Sequence, residues 1–96
     1  MEIVWTAPAR RDLRAHLVYL AERSPLAARK THAAIREAVE RLADFPQRGR
    51  PGRLEGTRET VVAGTPYLVV YRTRETSRRI LRVLHGAQDW PPASSQ

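Results

Sequence analysis

The chain has no cysteine in its 96 residues. Disulfides, thiolate zinc sites and thiol nucleophiles are thereby excluded. It also lacks any run near the ~20 apolar residues that a membrane-spanning helix needs. The opening MEIVWTAPAR places no basic stretch ahead of an apolar one. No signal peptide is therefore expected, and a cytoplasmic location is. Length is scarce as well. A chain this short buries only roughly 60–65% of the surface its unfolded form exposes, so two independent cores are out of reach. One domain over residues 1–90 is expected, with 91–96 (PPASSQ) as a mobile tail.

Lysine is nearly missing: Lys30 stands alone beside 16 arginines. Acids are also few, 10 against 17 basic residues, for a formal charge of +7. Arginine pairs bidentately with carboxylate and phosphate, so a surface of this kind has two natural partners, nucleic acid or an acidic protein. The excess is uneven. Residues 1–45 carry net +2 and residues 46–96 net +5.

The apolar pattern has two periods. Glu2 to Thr6 is a short β-prone run. Thr6 then offers a cap and Pro8 suits a first helical turn. Leu13, Leu17 and Leu20 follow helical spacing, with Ala9 and His16 on the same stripe, so a helix is predicted from about Ala7 to Glu22. Ser24-Pro25 starts a second, carrying Ala28, Thr31, Ile35, Ala38, Val39 and Leu42 and stopping near Phe45 before Pro46. Glu37 and Arg41 are spaced for an exposed helix pair. The short break makes an antiparallel hairpin. Residues 46–57 (PQRGRPGRLEGT) fit no period and read as a long loop, the kind that is functional in compact domains. Strands follow at Glu59–Ala63, Tyr67–Tyr71 and Arg79–His85, joined by short turns. The expected fold is α+β: an N-terminal strand, then a helix hairpin packed on an antiparallel sheet built mainly from three C-terminal strands. Val39 and Leu42 should face that sheet near Val69 and Val83.

Chemistry-bearing residues are sparse. His16 reads as a half-buried packing residue and His32 as exposed. His85 closes a strand before Gly86 and reads as a structural hydrogen-bonder. No histidines have metal-ligand spacing, and neither a metal nor a cofactor is expected. Gly49, Gly52 and Gly56 lack the strand, helix and Gly-Lys-Ser/Thr ending of a phosphate loop, and read as turn glycines. Arg48, Arg50, Arg53 and Arg58 form a local basic patch beside a single acid, Glu55, and are candidates to contact an acidic partner or target. Tyr67 and Tyr71 should share one sheet face. Trp90 either pins the tail on the sheet or anchors a partner.

SPLAAR, FPQRGRPG, EGTRE, PYLVVY and RVLHGAQDW occur in that order. The ordered set resembles the RelE/ParE family of bacterial type II toxins, nearer the ParE branch. The resemblance implies a cognate acidic or amphipathic antitoxin, which adds a helix and an extended stretch. It implies operator DNA contact only through that antitoxin, and no membrane. ParE-like members are associated with poisoning DNA gyrase, whereas RelE-like members cut mRNA on the ribosome. Metal-free RNA cleavage needs a base for the 2′-hydroxyl, a cation for the phosphorane and an acid for the leaving oxygen. The positions matching the RelE cations are Leu68 and Gln88, both neutral. A binding poison with no catalytic residues is therefore expected. The alternatives are a nuclease drawing on His85, Arg58 and Arg82, or a non-toxic member that only binds antitoxin.

Overall fold

The computed structural model describes residues 2–92. Strand β1 (Glu2–Trp5) leads into helices α1 (Ala7–Arg23) and α2 (Pro25–Asp44), then strands β2 (Arg50–Pro51), β3 (Arg58–Val61), β4 (Tyr67–Thr73) and β5 (Ser77–His85). Both helix starts are capped as their sequences require. Thr6 Oγ1 accepts the N–H of Ala9, Ser24 Oγ accepts that of Ala27, and each helix has a proline in its first turn. The hairpin covers one face of a five-stranded sheet ordered β1-β5-β4-β3-β2.

The α+β arrangement is as expected, with three refinements. The sheet is mixed, because β1 runs parallel to β5 while every other neighbour is antiparallel. The loop over 46–57 contains an extra strand, β2, on the far edge of β3. The last strand starts at Ser77, two residues early, because Ser77 and Arg78 pair with Glu2 and Ile3 of β1 and Arg78 also with Thr73. The expected tail falls partly at Pro91 and Pro92, both exposed, and partly on residues 93–96, which lie outside the described residues.

Faces are set by period two with one interruption. Tyr67, Val69 and Tyr71 face the helices and join Ile35, Ala38, Val39, Leu42 and Val83 in the main core. Ile80 and Val83 both belong to that core although they are three positions apart. Val70 pairs with Arg82 but Tyr71 pairs with Ile80, so Leu81 is an inserted residue, a β-bulge that shifts the pleat by one. Leu68, Val70 and Leu84 are buried on the opposite face under Leu81 and Trp90.

Strand β1 reaches only to Ile80, and α1 takes over the sealing of β5 beyond it. Thr6 donates its backbone N–H to the Ile80 carbonyl at 3.1 Å and its hydroxyl to the same oxygen at 2.7 Å. Asp12 Oδ2 accepts the Val83 N–H at 3.0 Å and holds Arg82 bidentately at 2.6 and 3.0 Å. His16 Nε2 lies 2.8 Å from the Val83 carbonyl, which can only accept, so that nitrogen carries the proton. Half-buried His16 is thus both packing and edge-sealing. At the other end Arg78, 4% exposed, donates to the carbonyls of Leu42, Arg74 and Ser77. A cation at the last turn of α2 suits the negative end of the helix dipole.

Candidate functional site

Helix α1 is poorly covered for its length. Ala9 is its one fully buried residue, while Val18 and Tyr19 are more than half exposed. Its leucine stripe meets α2 at an open groove of about 560 Å³ lined by Leu13, Leu17, Val18, Ala28 and His32. Arg10, Arg14 and Arg29 rim it, and no acid lines it. His32, expected to be exposed, is half-buried in this wall. An apolar floor with a cationic rim matches an amphipathic helix bearing carboxylates on its flanks. The spacing of Leu13 and Leu17 was visible in sequence, but it reads as core. What sequence misses is that Leu17 stays off the main core, leaving part of the stripe open between the two helices.

The arginine patch divides. Arg50 and Arg53 converge on Glu59, whose side chain is only 1% exposed, and the Arg53 backbone N–H adds a bond of 3.0 Å. Glu59, one residue beyond the stretch counted as basic, therefore offsets part of its charge. Arg58 turns to the helix-facing side and donates to the Gly49 carbonyl at 2.6 Å. Arg48 is exposed. Tyr71 pins the start of this segment: its hydroxyl accepts the Gly49 N–H and donates to the Pro46 carbonyl. A Cβ on residue 49 would lie 2.7 Å from the Glu59 carbonyl oxygen, so this glycine serves close approach. Gly56, at φ +80°, is a turn glycine as expected.

Burial raises the Glu59 pKa, but the Arg53 N–H, the Arg53 guanidinium and Arg50 outweigh it and hold the carboxyl below its ordinary 4.5. A depressed carboxylate stabilises the fold above its unfolded value and stops doing so as pH falls through the folded one. Glu59→Gln is thus expected to cost about 1–2 kcal/mol near neutral pH, and less as pH drops below 4.5. Denaturant titrations at pH 7 and pH 3.5 would measure it, and an equal loss at both would remove the ionic contribution.

Register places Glu59, Leu68, Val70, Arg72 and Arg79 on the face away from the helices. Arg50 and Arg53 reach this face through Glu59. Arg72 and Arg79 stand directly opposite each other with no acid paired to either among the described residues. Trp90 packs on the Leu68 cluster, with the Arg82 guanidinium 5.4 Å from its ring centre. Trp90 thus pins the chain beyond β5 to the sheet.

The residues an RNA-cutting reading would use are not brought together. Leu68 is buried in the apolar cluster, and Gln88 Oε1 accepts the His85 N–H in a turn. His85 lies on the helix-facing side, its ring edge-on to Tyr67 at 5.4 Å and its Nδ1 accepting the Ala87 N–H. Arg82 is held by Asp12 and Arg58 by Gly49, on different strands. Burial pushes the Tyr67 hydroxyl pKa up, so it is a poor proton donor.

A basic helix hairpin on a mixed sheet, with an apolar groove open to a partner, is the build of a toxin from a type II toxin–antitoxin pair. The structure is similar to one described as the chromosomal ParDE toxin–antitoxin system from P. aeruginosa: TM-score 0.77, 28% identity, covering 88% of this chain and 95% of that one. It is also similar to the RelBE2 complex of Mycobacterium tuberculosis, with TM-score 0.61, 31% identity and the same coverage. The family described as "ParE toxin of type II toxin-antitoxin system, parDE" matches residues 3–90, and the chain belongs to that family. Among curated relatives, Y4kP of Sinorhizobium fredii, a toxin by name, is 43% identical over 93% of this chain and 92% of its own length. Toxin RelE2 of Caulobacter vibrioides is 33% identical over 91% of this chain and 97% of its own length.

Proposed function

We propose that this toxin acts by binding a large target, DNA gyrase, without cutting RNA, and that an acidic amphipathic antitoxin helix seated in the α1–α2 groove neutralises it. The observation that carries the reading is the filling of the sheet face beneath Trp90. Where RNA-cutting relatives are expected to place a cation, Leu68 is buried with Val70 and Leu84. The candidate acid His85 is on the other side of the sheet. Arg50, Arg53, Arg72 and Arg79 around this apolar patch offer a basic surface for an acidic or DNA-bearing target, with Trp90 at its edge; exposed Arg48 and, on the helix-facing side, Arg58 add further positive charge. The higher TM-score to a ParDE complex, 0.77 against 0.61 for a RelBE complex, supports the same branch.

The purified chain is expected to block gyrase supercoiling and to leave ribosome-bound mRNA intact. Absence of two stabilising cations costs about 100- to 1000-fold in rate for each. His85→Ala should keep its toxicity, with circular dichroism confirming the fold. Codon-specific mRNA cuts that appear with the wild type and vanish with folded His85→Ala would overturn this reading.

A further inference from the structure

Helix α1 carries a second stripe, on the side turned away from the core. Arg11, Arg14, Ala15, Val18, Tyr19 and Glu22 line a shallow hollow of about 510 Å³ there, and all six are exposed. Arg11, Ala15, Val18 and Glu22 step by four, three and four positions, the spacing of a seam between two helices. A helix face opposite the core is ordinarily polar. Here Val18 is 52% and Tyr19 54% exposed. Arg14 and Val18 also border the hairpin groove, but the other four residues lie outside it.

The stripe is complementary to itself. Turned end for end about a point midway between His16 and Leu17, Arg11 falls on Glu22, Arg14 on Tyr19 and Ala15 on Val18. Two copies of α1 laid antiparallel across a twofold axis therefore join base to acid, cation to ring and small residue to branched one. A twofold contact, in which the same patch serves both copies, asks for that arrangement. Ala15 beside the axis lets the two helices approach closely. Glu22 is available for such a pair. Its contact with Arg23 spans 4.0 Å, and both side chains are more than half exposed. Arg23 itself is folded back, donating to the Tyr19 carbonyl at 2.9 Å and lying 3.6 Å over the Tyr19 ring.

We propose that the free chain self-associates through this stripe as a twofold dimer, α1 against α1. An acidic helix would be drawn to Arg11 and Arg14 but repelled by Glu22, whereas a second copy satisfies both ends. The seam from Arg11 to Glu22 is about 16 Å long. A contact of that length falls short of the about 1,000 Å² that a stable interface buries, so the dimer is weak, with a Kd of about 0.1 mM. Each copy carries a charge of +7. Salt at about 0.15 M confines that repulsion to about 8 Å and leaves the seam pairs in reach of each other. The inference stands apart from the groove reading, because neither Arg11 nor Glu22 lines the groove.

The test is sedimentation equilibrium of the free chain in about 0.15 M salt. Between about 5 μM and about 0.5 mM the wild type should pass from monomer toward dimer. Arg11→Glu and Glu22→Arg should each weaken association by about tenfold, since each replaces two attractions with two like-charge contacts. Mixed in equal amounts, the two variants should recover wild-type association, because the acids then lie on one copy and the bases on the other. Both positions are exposed, so circular dichroism should show the wild-type fold. In the wild type, amide shifts that move with concentration should map to Arg11–Glu22, which locates the contact without any substitution. Leu17→Glu should leave the dimer unchanged. A wild type that stays monomeric at the top of the range would overturn the proposal. A dimer that both charge variants keep would place the contact on another face and overturn it as well, as would a mixture no better than either variant alone. None of these outcomes bears on the antitoxin groove, which binding to Leu17→Glu tests separately.

Discussion

Leu17→Glu is expected to weaken the antitoxin complex by about a hundredfold or more, the range of a residue central to an interface. Leu17 lines the hairpin groove but, unlike Leu13 and Leu20, does not pack on the main core. A carboxylate there would stay hydrated in the free chain and be driven under an apolar helix face in the complex. The fold should survive, and circular dichroism and thermal melting would confirm that. Arg29→Ala on the groove rim removes charge alone. It should lower the association rate and the salt dependence while costing much less affinity. Calorimetry that returns an unchanged Kd for Leu17→Glu would move the antitoxin helix off this groove.

Leu42→Ala should destabilise the domain by about 2–5 kcal/mol. Leu42 is 0% exposed and shares the main core with Val39, Val69 and Val83, as the helical spacing of α2 predicts. Its carbonyl also receives the Arg78 guanidinium, so relaxation of this turn into the cavity would disturb a buried cation. Each kcal/mol moves Tm by roughly 4–8 °C in a domain of this size, so the melting temperature should fall by about 10 °C or more. A variant that melts with the wild type would place Leu42 outside the core.

Local signals carry furthest in this sequence. Thr6 and Ser24 mark both helix starts because a cap and a proline act within one turn. Tyr67 to Tyr71 stands out because a buried strand needs an apolar run. Pairing is less legible. Nothing in Glu2–Trp5 says that it lies parallel to β5, and the two residues of β2 are held by Glu59 and not by any pattern of their own. The bulge at Leu81 is hidden, since an inserted residue leaves composition unchanged and alters only phase. The patch at Arg48–Arg58 was legible as charge but not as partly neutralised charge, because its acid lies on the next strand. The helix groove shows the remaining limit. Periodicity identifies an apolar stripe, and only the packing of the two helices decides how much of that stripe stays bare.

The sealing of β5 by α1 fixes an order of events during synthesis. Thr6, Asp12 and His16 find their partners 67 to 74 residues later in the chain. At roughly 5–20 residues per second, the finished hairpin waits about 2–8 s before the strand it serves has been made. Throughout that interval its inner surface is as bare as its groove, and the nascent chain is a sticky pair of helices with nothing yet to lie on.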